Sequence, residues 1–341
     1  MALKRVTMQQ IADACGLSRN TVSKVFNGRG NVPDSTKKLV ISTAQELGYY
    51  RYSAEEDTQS GAGANIALLT QHKLLSHNFG AYFITSFSDQ ISRAGYTMQM
   101  YEVTPDELAA LTLPPLFDRE QVAGVLGIEL FDRKYIEMVC SLGIPTVFVD
   151  GFARAGESLL HCDIVSMENI ASEMALVRHM VSGGAKRLGF VGDIEHCNSF
   201  YERWVAFGLA LGEAGIPVDR DLCILEEDGM LYEDTKWLLQ HLESMPQMPD
   251  AFVCANDYLA IHLIAALKQK GLSVPDGVMV SGFDGSLESS LIDPSLTTAQ
   301  IPSSDIGRLA AGALADRIRH PKNPYRWVNV KTTPVWGAST R

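Results

Sequence analysis

Residues 7–27, TMQQIADACGLSRNTVSKVFN, constrain the fold of this chain more than any other stretch. Gly16 interrupts an amphipathic segment at a point where glycine favours the left-handed end of a helix. Ser18 then stands where it can cap a second segment, in which Val22 and Val25 recur at helical spacing. The pattern predicts two short helices joined by a tight turn.

The second predicted helix has an apolar back and a polar front, which carries Arg19, Asn20, Ser23 and Lys24. Arg and Lys can donate to guanine O6 and N7, and Asn can pair with the edge of adenine. In a helix-turn-helix the first residues of the second helix reach the base edges. The pattern favours a DNA-reading helix pair, although an amphipathic pair with a solvated polar face would have the same spacing.

Charge is distributed unevenly along the chain. Residues 1–52 contain eight Lys and Arg and three Asp and Glu, which gives this segment a net charge of +5. The whole chain has a net charge of −11, so the remaining residues carry −16. DNA is a polyanion, so a basic head on an acidic body is typical of a DNA-binding module attached to a domain with another task.

These residues resemble the lactose/galactose repressor (LacI/GalR) family of transcription regulators. The resemblance is carried by an ordered pattern, Val6-Thr-x-x-x-Ile-Ala-x-x-x-Gly-Leu-Ser-x-x-Thr-Val-Ser-Lys-Val-x-Asn27, followed by Val32-Pro-x-x-Thr and Glu46-Leu-Gly-Tyr49. It implies a homodimer on a pseudo-palindromic double-stranded DNA operator, with each second helix in one major groove. The side chains expected to contact DNA are Thr7, Met8, Gln9, Ser18, Arg19, Asn20, Thr21, Ser23, Lys24 and Asn27.

Length and composition are those of an ordinary globular protein. The chain has 341 residues, which predicts two or three domains, and it is 46% apolar and 20% charged. The sequence lacks an apolar run long enough to span a bilayer, and MALKRVTMQQ lacks the hydrophobic part of a signal peptide, so we expect the cytoplasm. Neither a metal nor a cofactor is expected, because the six cysteines are scattered and indicate buried thiols: Cys15, Cys140, Cys162, Cys197, Cys223 and Cys254.

Residues 1–50 are expected to form an all-α helix-turn-helix domain that a third helix at 34–48 completes. Residues 51–64 are polar, Gly-rich and acidic, which indicates a linker. The resemblance implies a hinge helix here, whose leucine wedges into the minor groove and bends the DNA. Thr58 stands at the position of that leucine, beside three acids at 55–57. A regulator whose head binds DNA weakly is therefore a further interpretation.

From Asn65 onward, short apolar strands alternate with amphipathic helices. Such alternation predicts parallel sheets covered by helices on both faces, and two successive runs predict two doubly wound subdomains. The body resembles the periplasmic-binding-protein-like core of the same family, most clearly over Pro249–Asp257. The expected strands are 66–70, 97–101, 124–128, 146–149, 187–191, 222–225, 251–254 and 279–282, and the expected helices are 80–94, 105–112, 132–142, 168–183, 199–214, 231–244 and 257–270.

In that family the chain crosses between the two subdomains three times, here expected near residues 164, 294 and 326. Of the core at 65–341, the first subdomain would then hold about 65–164 and 295–326, and the second about 165–294 and 327–341. Ligands of open parallel sheets bind at the carboxyl ends of the strands. We therefore expect a small molecule to bind between the two halves.

The resemblance places an effector site on Arg203, Asn256, Asp284 and Asp150, each at a strand end or a helix start. An Arg, an Asn and two carboxylates suit a polyhydroxylated ligand such as a sugar. The same groups could instead only cap helices, since Asn256 begins one. On the opposite wall Phe79 stands where relatives place an aromatic ring, and core packing is its alternative role. Competing candidates for that aromatic position are Tyr82 and Phe83.

Two glycines depart from the family's effector pattern. Gly229 stands where some members have an aromatic residue, and Gly285 stands where a second Asp often follows the first. The identity of the ligand therefore does not follow from the resemblance. Whether the ligand releases the protein from DNA or recruits it is also left open.

Enzyme motifs are missing from the sequence. It contains neither a Gly-x-Ser-x-Gly elbow nor a Walker-type phosphate loop, and Gly61-x-Gly63 lacks a preceding strand. We therefore expect a transcription regulator, a repressor in the first instance, whose operator affinity is controlled by a small molecule. A solute-binding or chemoreceptor protein on the same core is the alternative from another class.

Overall fold

The structure is a computed structural model that describes residues 8–26, 32–46, 65–71, 78–227 and 231–341. It divides into two compact units, Met1–Ala62 and Gly63–Arg341. The expected linker at 51–64 lies outside the described residues, as do Thr7, Asn27 and Gly229.

The first unit contains a three-helix head. Its helices are α1 (Met8–Cys15), α2 (Arg19–Phe26) and α3 (Asp34–Glu46). Gly16 has a φ of +65°, so it ends α1 in the left-handed conformation that glycine tolerates best. The Ser18 hydroxyl accepts the Thr21 N–H at 3.1 Å and caps α2. The helix pair and its turn are confirmed.

A small core holds the head together. It consists of five buried apolar side chains drawn from all three helices: Ile11, Ala12, Val22, Val40 and Ala44. Ala12 and Ala44 carry small side chains, which lets the helices approach closely. The third helix is observed as far as Glu46, and the last two residues of its expected span lie outside the described residues.

The second unit begins with a six-stranded sheet in the order β10-β5-β4-β3-β1-β2, in which every described pairing is parallel. Apolar clusters cover both of its faces. The strands are β1 (Asn65–Thr70), β2 (Thr97–Glu102), β3 (Val122–Ile128), β4 (Thr146–Val149), β5 (Asp163–Met167) and β10 (Trp327–Val330). The covering helices are α4 (Asn78–Arg93), α5 (Pro105–Ala110), α6 (Arg133–Cys140) and α12 (Ser303–Arg319).

A three-stranded parallel sheet forms the second half, in the order β6-β7-β8. Its strands are β6 (Leu188–Val191), β7 (Ala251–Cys254) and β8 (Met279–Ser281), and its helices are α7 (Ile170–Ser182), α8 (Asn198–Glu213), α9 (Thr235–Ser244), α10 (Asp257–Gln269) and α11 (Leu287–Leu291). The prediction of a strand at 222–225 is wrong. Arg220–Leu222 is a 3-10 turn, and Ile224 makes only an isolated parallel bridge to Val191.

Two crossings lie later in the chain than expected. β5 continues in the first sheet to Met167, and β10 pairs with it, so residues 165–167 and 327–330 belong to the first sheet and not to the second half. Beyond them, β9 (Thr298–Gln300) and β11 (Thr333–Val335) form a separate antiparallel pair.

A buried ion pair explains why 163–167 and 327–330 stay with the first sheet. Arg317 on α12 donates to both oxygens of Asp163 at 3.0 and 2.9 Å, and the two side chains are at most 3% exposed. Asp163 also accepts the backbone N–H of Arg326 at 2.7 Å. The carboxylate thus joins α12, β5 and the start of β10 through charge-assisted bonds that are shielded from water.

Residues 303–319 form α12, a helix that the sequence pattern did not predict. Small residues form much of its buried stripe, including Gly307, Ala310 and Ala311, and they give a weak periodic signal. A Cβ on Gly307 would come within 2.5 Å of the Phe83 carbonyl oxygen, so glycine permits the close contact between α12 and α4.

Candidate functional site

The sequence predicts two groups of functional polar side chains, and the structure places one on the head and the other in the core. The first lies on the head. Arg19, Asn20 and Lys24 are exposed on α2, and Val22, on the same helix, is buried in the head core. One helix therefore separates its polar and apolar faces as the sequence predicted. The shape is that of a helix available to a groove of DNA.

Other predicted DNA-contacting residues already have partners within the head. Ser18 and Thr21 share a hydrogen bond between their hydroxyls at 2.8 Å, in addition to the helix cap. Gln9 donates to Asp13 at 2.8 Å from an exposed position on α1. Met8 is half-buried and packs against the head core. Their contacts with DNA remain predictions.

The second group lies between the two halves of Gly63–Arg341, and we call it the cleft: Asp150, Arg203, Asn256 and Asp284. Arg203 on α8 is its centre and is almost fully buried. Its Nε donates to Asn169 Oδ1 at 3.0 Å and its Nη1 donates to the Ala255 carbonyl at 2.5 Å. The guanidinium also lies over the Phe283 ring, 3.8 Å from its centroid. Packing on an aromatic face and two hydrogen bonds fix its position.

Asp284 faces this guanidinium. Its Oδ1 lies 3.6 Å from Arg203 Nη1, and its side chain keeps 30% exposure. Burial raises the pKa of the Asp284 carboxyl, Arg203 lowers it, and the nearby carboxylates of Asp257 and Glu129 raise it. Backbone bonds of Asp284 to Ala299 and Ile301 hold the residue at a φ of +126°. The carboxylate is thus held at the cleft with one side open.

Asp150 follows β4 at a φ of +63° and is nearly buried. Its Oδ2 accepts the Ser199 N–H at 3.4 Å at the start of α8, whereas its buried Oδ1 has no hydrogen-bond partner in the described part of the chain. Burial raises the pKa of Asp150 to about 6, against the lowering effect of Ser199 and Arg203. Because an unpaired buried acceptor is costly, Oδ1 is suited to accept a hydrogen bond from a bound molecule.

Asn256 serves as the cap of α10, since its Oδ1 accepts the Leu259 N–H at 2.9 Å. Asn256 therefore has the capping role that was the alternative to ligand binding, and its role in binding a ligand stays a prediction. Phe79 is half-buried and stacks on Phe83 with centroids 6.0 Å apart. Phe83 is fully buried in the core, while Tyr82 is 62% exposed. None of these three aromatic side chains has a described contact with Arg203 or Asp284.

The lack of room for a side chain explains why residue 285 is a glycine. It has a φ of +67°, and a Cβ there would come within 2.6 Å of the Gln300 side chain. A second Asp at this position would be strained and would collide with that side chain. The departure from the family pattern therefore follows from the local backbone. The expectation about Gly229 falls outside the described residues.

Sequence reasoning missed three acids at the cleft. Glu129 follows β3 directly at a φ of +48°, and its charge acts on Asp284. Asp257 is buried, with Oδ1 accepting the Thr298 hydroxyl at 2.5 Å and Oδ2 accepting the Ser286 N–H at 2.7 Å, and burial raises its pKa to about 6. The signal for Glu129 was available, because it follows a buried strand as Asp150 does.

Glu173 is the third missed acid. It lies on α7 and is fully buried, and among the residues that the structure describes neither of its carboxyl oxygens has a hydrogen-bond partner. Burial raises its pKa to about 8, and Arg203 acts in the opposite direction. In the sequence it is one charged residue on the face that carries Leu176, Val177 and Met180, which is the pattern that could have identified it.

Three carboxylates of the cleft share a conformational feature. Glu129, Asp150 and Asp284 all have positive φ, although none is a glycine. Each follows a strand of one of the two sheets at its carboxyl end. Backbone strain of this kind costs about 1–3 kcal/mol per residue and is concentrated at binding sites.

Contacts between the two halves surround the cleft. The Asn198 N–H at the start of α8 donates to the Gly151 carbonyl at 2.8 Å, and Arg154 pairs with Glu195 at 2.7 Å. A hollow of about 290 Å³ lies next to the first turns of α8; its lining includes Tyr201, Glu202, Trp327 and Asn329. Glu202 accepts Asn169 Nδ2 at 2.7 Å, so the hollow is linked to Arg203 through Asn169.

Among the described residues, no helix is long and apolar enough to cross a membrane, and no group of His, Cys, Asp and Glu could hold a metal ion. All six cysteines are free thiols, four of them buried.

Two family models match the chain. The model "Bacterial regulatory proteins, lacI family" matches residues 7–51, and "Periplasmic binding protein-like domain" matches residues 177–340. The HTH-type transcriptional regulator GalR of Lacticaseibacillus casei is 26% identical, covering 98% of this chain and 99% of its own length. The HTH-type transcriptional repressor PurR of Actinobacillus pleuropneumoniae serotype 3 is 24% identical, with 96% of both chains covered.

Solved structures agree with the fold. A complex of the transcriptional regulator CelR with cellobiose has a TM-score of 0.71 at 23% identity and covers 98% of this chain and 100% of its own. The lac repressor dimer bound to operator and the anti-inducer ONPF has a TM-score of 0.69 at 20% identity, with 99% of both chains covered. The relatives are transcriptional regulators and not enzymes.

Proposed function

We propose that a sugar or sugar derivative, bound in the cleft, controls the affinity of this protein for operator DNA. The chain belongs to the LacI/GalR family of transcriptional regulators. The chain is a DNA-binding regulator with a helix-turn-helix head and a periplasmic-binding-protein-like core.

One observation carries the proposal for the cleft: among the described residues the buried Asp150 Oδ1 lacks a hydrogen-bond partner, and Arg203 and Asp284 face each other at 3.6 Å. A polyhydroxylated molecule offers donors to both carboxylates and acceptors to the guanidinium. The CelR complex contains cellobiose, and another relative of this fold contains ribose. Both are consistent with a sugar in the cleft of this chain.

We propose that Arg19, Asn20 and Lys24 reach the major groove and that Gln9, Ser18, Thr21 and Ser23 support them from the same surface. A homodimer would place two such heads on a pseudo-palindromic operator, as the dimer of the lac repressor on its operator suggests. Because operator DNA lies in the bacterial cytoplasm, the protein would act there. The alternative, a solute-binding protein that does not bind DNA, is not favoured, because residues 7–51 match the lacI-family model.

Coupling would run through the contacts that join the two halves. A ligand that binds both Asp150 and Asp284 would fix the distance between the carboxyl ends of β4 and β8. By thermodynamic linkage, an effector that changes operator affinity must have its own affinity changed by operator to the same extent. The proposal therefore makes a reciprocal prediction that two titrations can check.

The experiment is a thermal-shift screen of the full chain against sugars, sugar derivatives and purines, followed by operator binding with and without each hit. A ligand that binds only the folded state raises the melting temperature by mass action. The hit should be lost in Arg203→Lys and Asp284→Asn, because lysine cannot keep both hydrogen bonds and the ring contact of Arg203. Arg178→Ala is the matched control, since Arg178 pairs with Glu213 on the surface. Hits that survive both cleft substitutions would contradict the assignment.

A further inference from the structure

Two hydrogen bonds hold the guanidinium of Arg203, and they lead to different places. Its Nη1 donates to the Ala255 carbonyl just after β7, and its Nε donates to Asn169 Oδ1 at 3.0 Å. Asn169 lies between the end of β5 in the first sheet and the start of α7 in the second half. We call residues 168–169, which join these two elements, the first crossing. One bond of the proposed effector arginine therefore ends where the chain passes between the halves.

The amide of Asn169 is almost fully buried and has partners on both sides. Its Nδ2 donates to the Met167 carbonyl at 3.1 Å and to Glu202 Oε2 at 2.7 Å, while its Oδ1 accepts from Arg203. A flipped amide would turn its oxygen towards two acceptors and its N–H groups towards the guanidinium, which only donates. A displacement of Arg203 therefore either carries this amide along or breaks a buried hydrogen bond.

Asn169 does not cap its own helix. It occupies the N-cap position of α7, where asparagine ordinarily accepts a backbone N–H of the first turn, but its side chain makes no such bond. Glu168 takes that role, since its Oε1 accepts the Ala171 N–H at 2.7 Å. The amide is used for Arg203 and Glu202 instead, which a purely local structural role does not explain.

Glu202 extends the network to the start of α8. It precedes Arg203 in the chain, and its Oε1 accepts Asn198 Nδ2 at 2.9 Å while its Oε2 accepts from Asn169. The backbone N–H of Asn198 donates across the two halves to the Gly151 carbonyl at 2.8 Å. Glu202 thus links the amide at the first crossing to the turn of α8 that contacts the first half.

The first crossing is also joined to the segment that leaves β10. The Glu168 N–H donates to the carbonyl of Val330, the last residue of β10, at 2.7 Å. The Thr332 hydroxyl donates to the Glu168 carbonyl at 2.8 Å and shares a hydrogen bond with the Ser172 hydroxyl at 2.7 Å. Because the two segments are bonded to each other, a displacement at Asn169 reaches both.

We propose that Asn169 and Glu202 are positioning residues that link Arg203 to these two segments, so that a ligand engaging the guanidinium changes how the halves are held together. Neither residue needs to touch the ligand. This inference rests on the proposed function, because it takes Arg203 as a contact of the effector. It adds the route by which occupancy of the cleft reaches the connections between the halves.

The test compares the full chain with Asn169→Ala, Glu202→Ala and Glu202→Gln. The readout is the factor by which a saturating hit of the thermal-shift screen changes the dissociation constant of operator DNA. In both alanine variants this factor should move towards 1 by about 3- to 30-fold, the range that substitutions on a coupling route produce. Glu202→Gln keeps an oxygen that can accept from Asn169, so it should retain more of the factor than Glu202→Ala. Asn169→Ser replaces Asn169→Ala if the latter does not fold.

Asp234→Ala and Glu213→Ala are the matched controls. Asp234 caps α9 by accepting the Lys236 N–H at 2.8 Å, so its loss also removes a hydrogen bond at a helix start. Glu213 lies on α8, as Glu202 does, but pairs with Arg178 on the surface. Both variants should keep the wild-type factor, which separates a loss of coupling from a loss of stability.

A second measurement needs no ligand. Hydrogen exchange at the Glu168 N–H, which bonds to β10, should become about three- to tenfold faster in Asn169→Ala and in Glu202→Ala, as for the loss of one hydrogen bond. Residue 202 lies on a different helix, so its effect on this amide requires the network. The two controls should exchange as the wild type does.

The outcomes distinguish the two claims. A hit whose factor is unchanged in both alanine variants would overturn the inference and leave an effector-controlled regulator in place. A panel without any hit would remove the proposed sugar effector, and hydrogen exchange would then decide the inference. An unchanged rate at Glu168 in both alanine variants would refute it, whereas a faster rate in both, compared with the controls, would support it.

Discussion

The head and the cleft present their polar side chains in opposite ways. On the head, Arg19, Asn20 and Lys24 are exposed within one short helix, and Val22 on its other face completes a small core. In the cleft, Arg203 and Asp150 are buried and come from distant parts of the chain. The head thus keeps its polar groups hydrated until DNA arrives, whereas the cleft has desolvated its groups during folding.

This difference has an energetic consequence. Exposed charges contribute little to stability because water screens them, while a buried charge that loses its partner is strongly destabilising. Substitutions in the cleft should therefore affect folding as well as binding. Substitutions of the exposed Arg19, Asn20 and Lys24 on the head should affect binding alone.

The largest effect is expected from Arg203→Ala. Removing the guanidinium leaves Asp150, Asp284 and Glu173 without the charge that lowers their pKa values. We expect a loss of about 3–5 kcal/mol in the free energy of unfolding, measured by urea denaturation. Arg178→Ala removes an exposed ion pair and should cost less than about 1 kcal/mol. Equal losses in the two variants would contradict the contrast between buried and exposed charge.

Glu173→Gln should reveal a dependence of stability on pH. The pKa of Glu173 rises from its ordinary value of 4.5 to about 8 on burial. Between these values the folded chain holds a proton that the unfolded chain releases, so the native carboxyl makes the protein less stable as pH rises through this window. Glutamine removes that penalty, and the variant should gain about 1–3 kcal/mol over the wild type at pH 8 but little at pH 5.

Urea denaturation at both pH values measures this prediction. Glu243→Gln, on the surface of α9, should show the same difference from the wild type at pH 5 and at pH 8. A Glu173→Gln variant whose advantage did not grow with pH would show that the carboxyl ionises as freely in the folded protein as in the unfolded chain.

On the head, Arg19→Ala and Asn20→Ala should each relax operator specificity by about 1–3 kcal/mol without changing the melting temperature, because both side chains are exposed. The measurement is binding to the operator and to single-base variants at fixed salt concentration. Ser42→Ala, on an exposed part of α3, is the control and should bind as the wild type does. Specificity that persists in both alanine variants would remove them from the set of base-contacting residues.

The smallest effect is expected from Ser18→Ala. The Ser18 hydroxyl accepts the Thr21 N–H, and loss of such a cap costs about 1 kcal/mol of stability. Ser18→Asp should retain most of the stability, because a carboxylate also accepts that N–H. A thermal melt of the head that was unaffected by alanine would indicate that the core alone holds the start of α2.

Local sequence was sufficient where the signal was local. Gly16 and Ser18 gave the turn of the head from their own backbone preferences, and both act as predicted. The alternation of strands and helices predicted two parallel sheets with helices around them, and it placed Asp150 and Asp284 at strand ends. This pattern did not predict α12, whose apolar stripe is made of small residues. It also predicted a strand around Ile224, which makes only an isolated bridge to Val191.

The sequence by itself determined the helix-turn-helix, the class of the core and the polar residues at its strand ends, because each follows from residues close together in the chain. Tertiary structure alone decided that Asp163 and Arg317 hold strand 327–330 in the first sheet. It also decided that Glu129 acts on Asp284 and that Arg203 acts on Glu173. The charge of a site depends on which distant residues share one desolvated volume, and folding sets that volume.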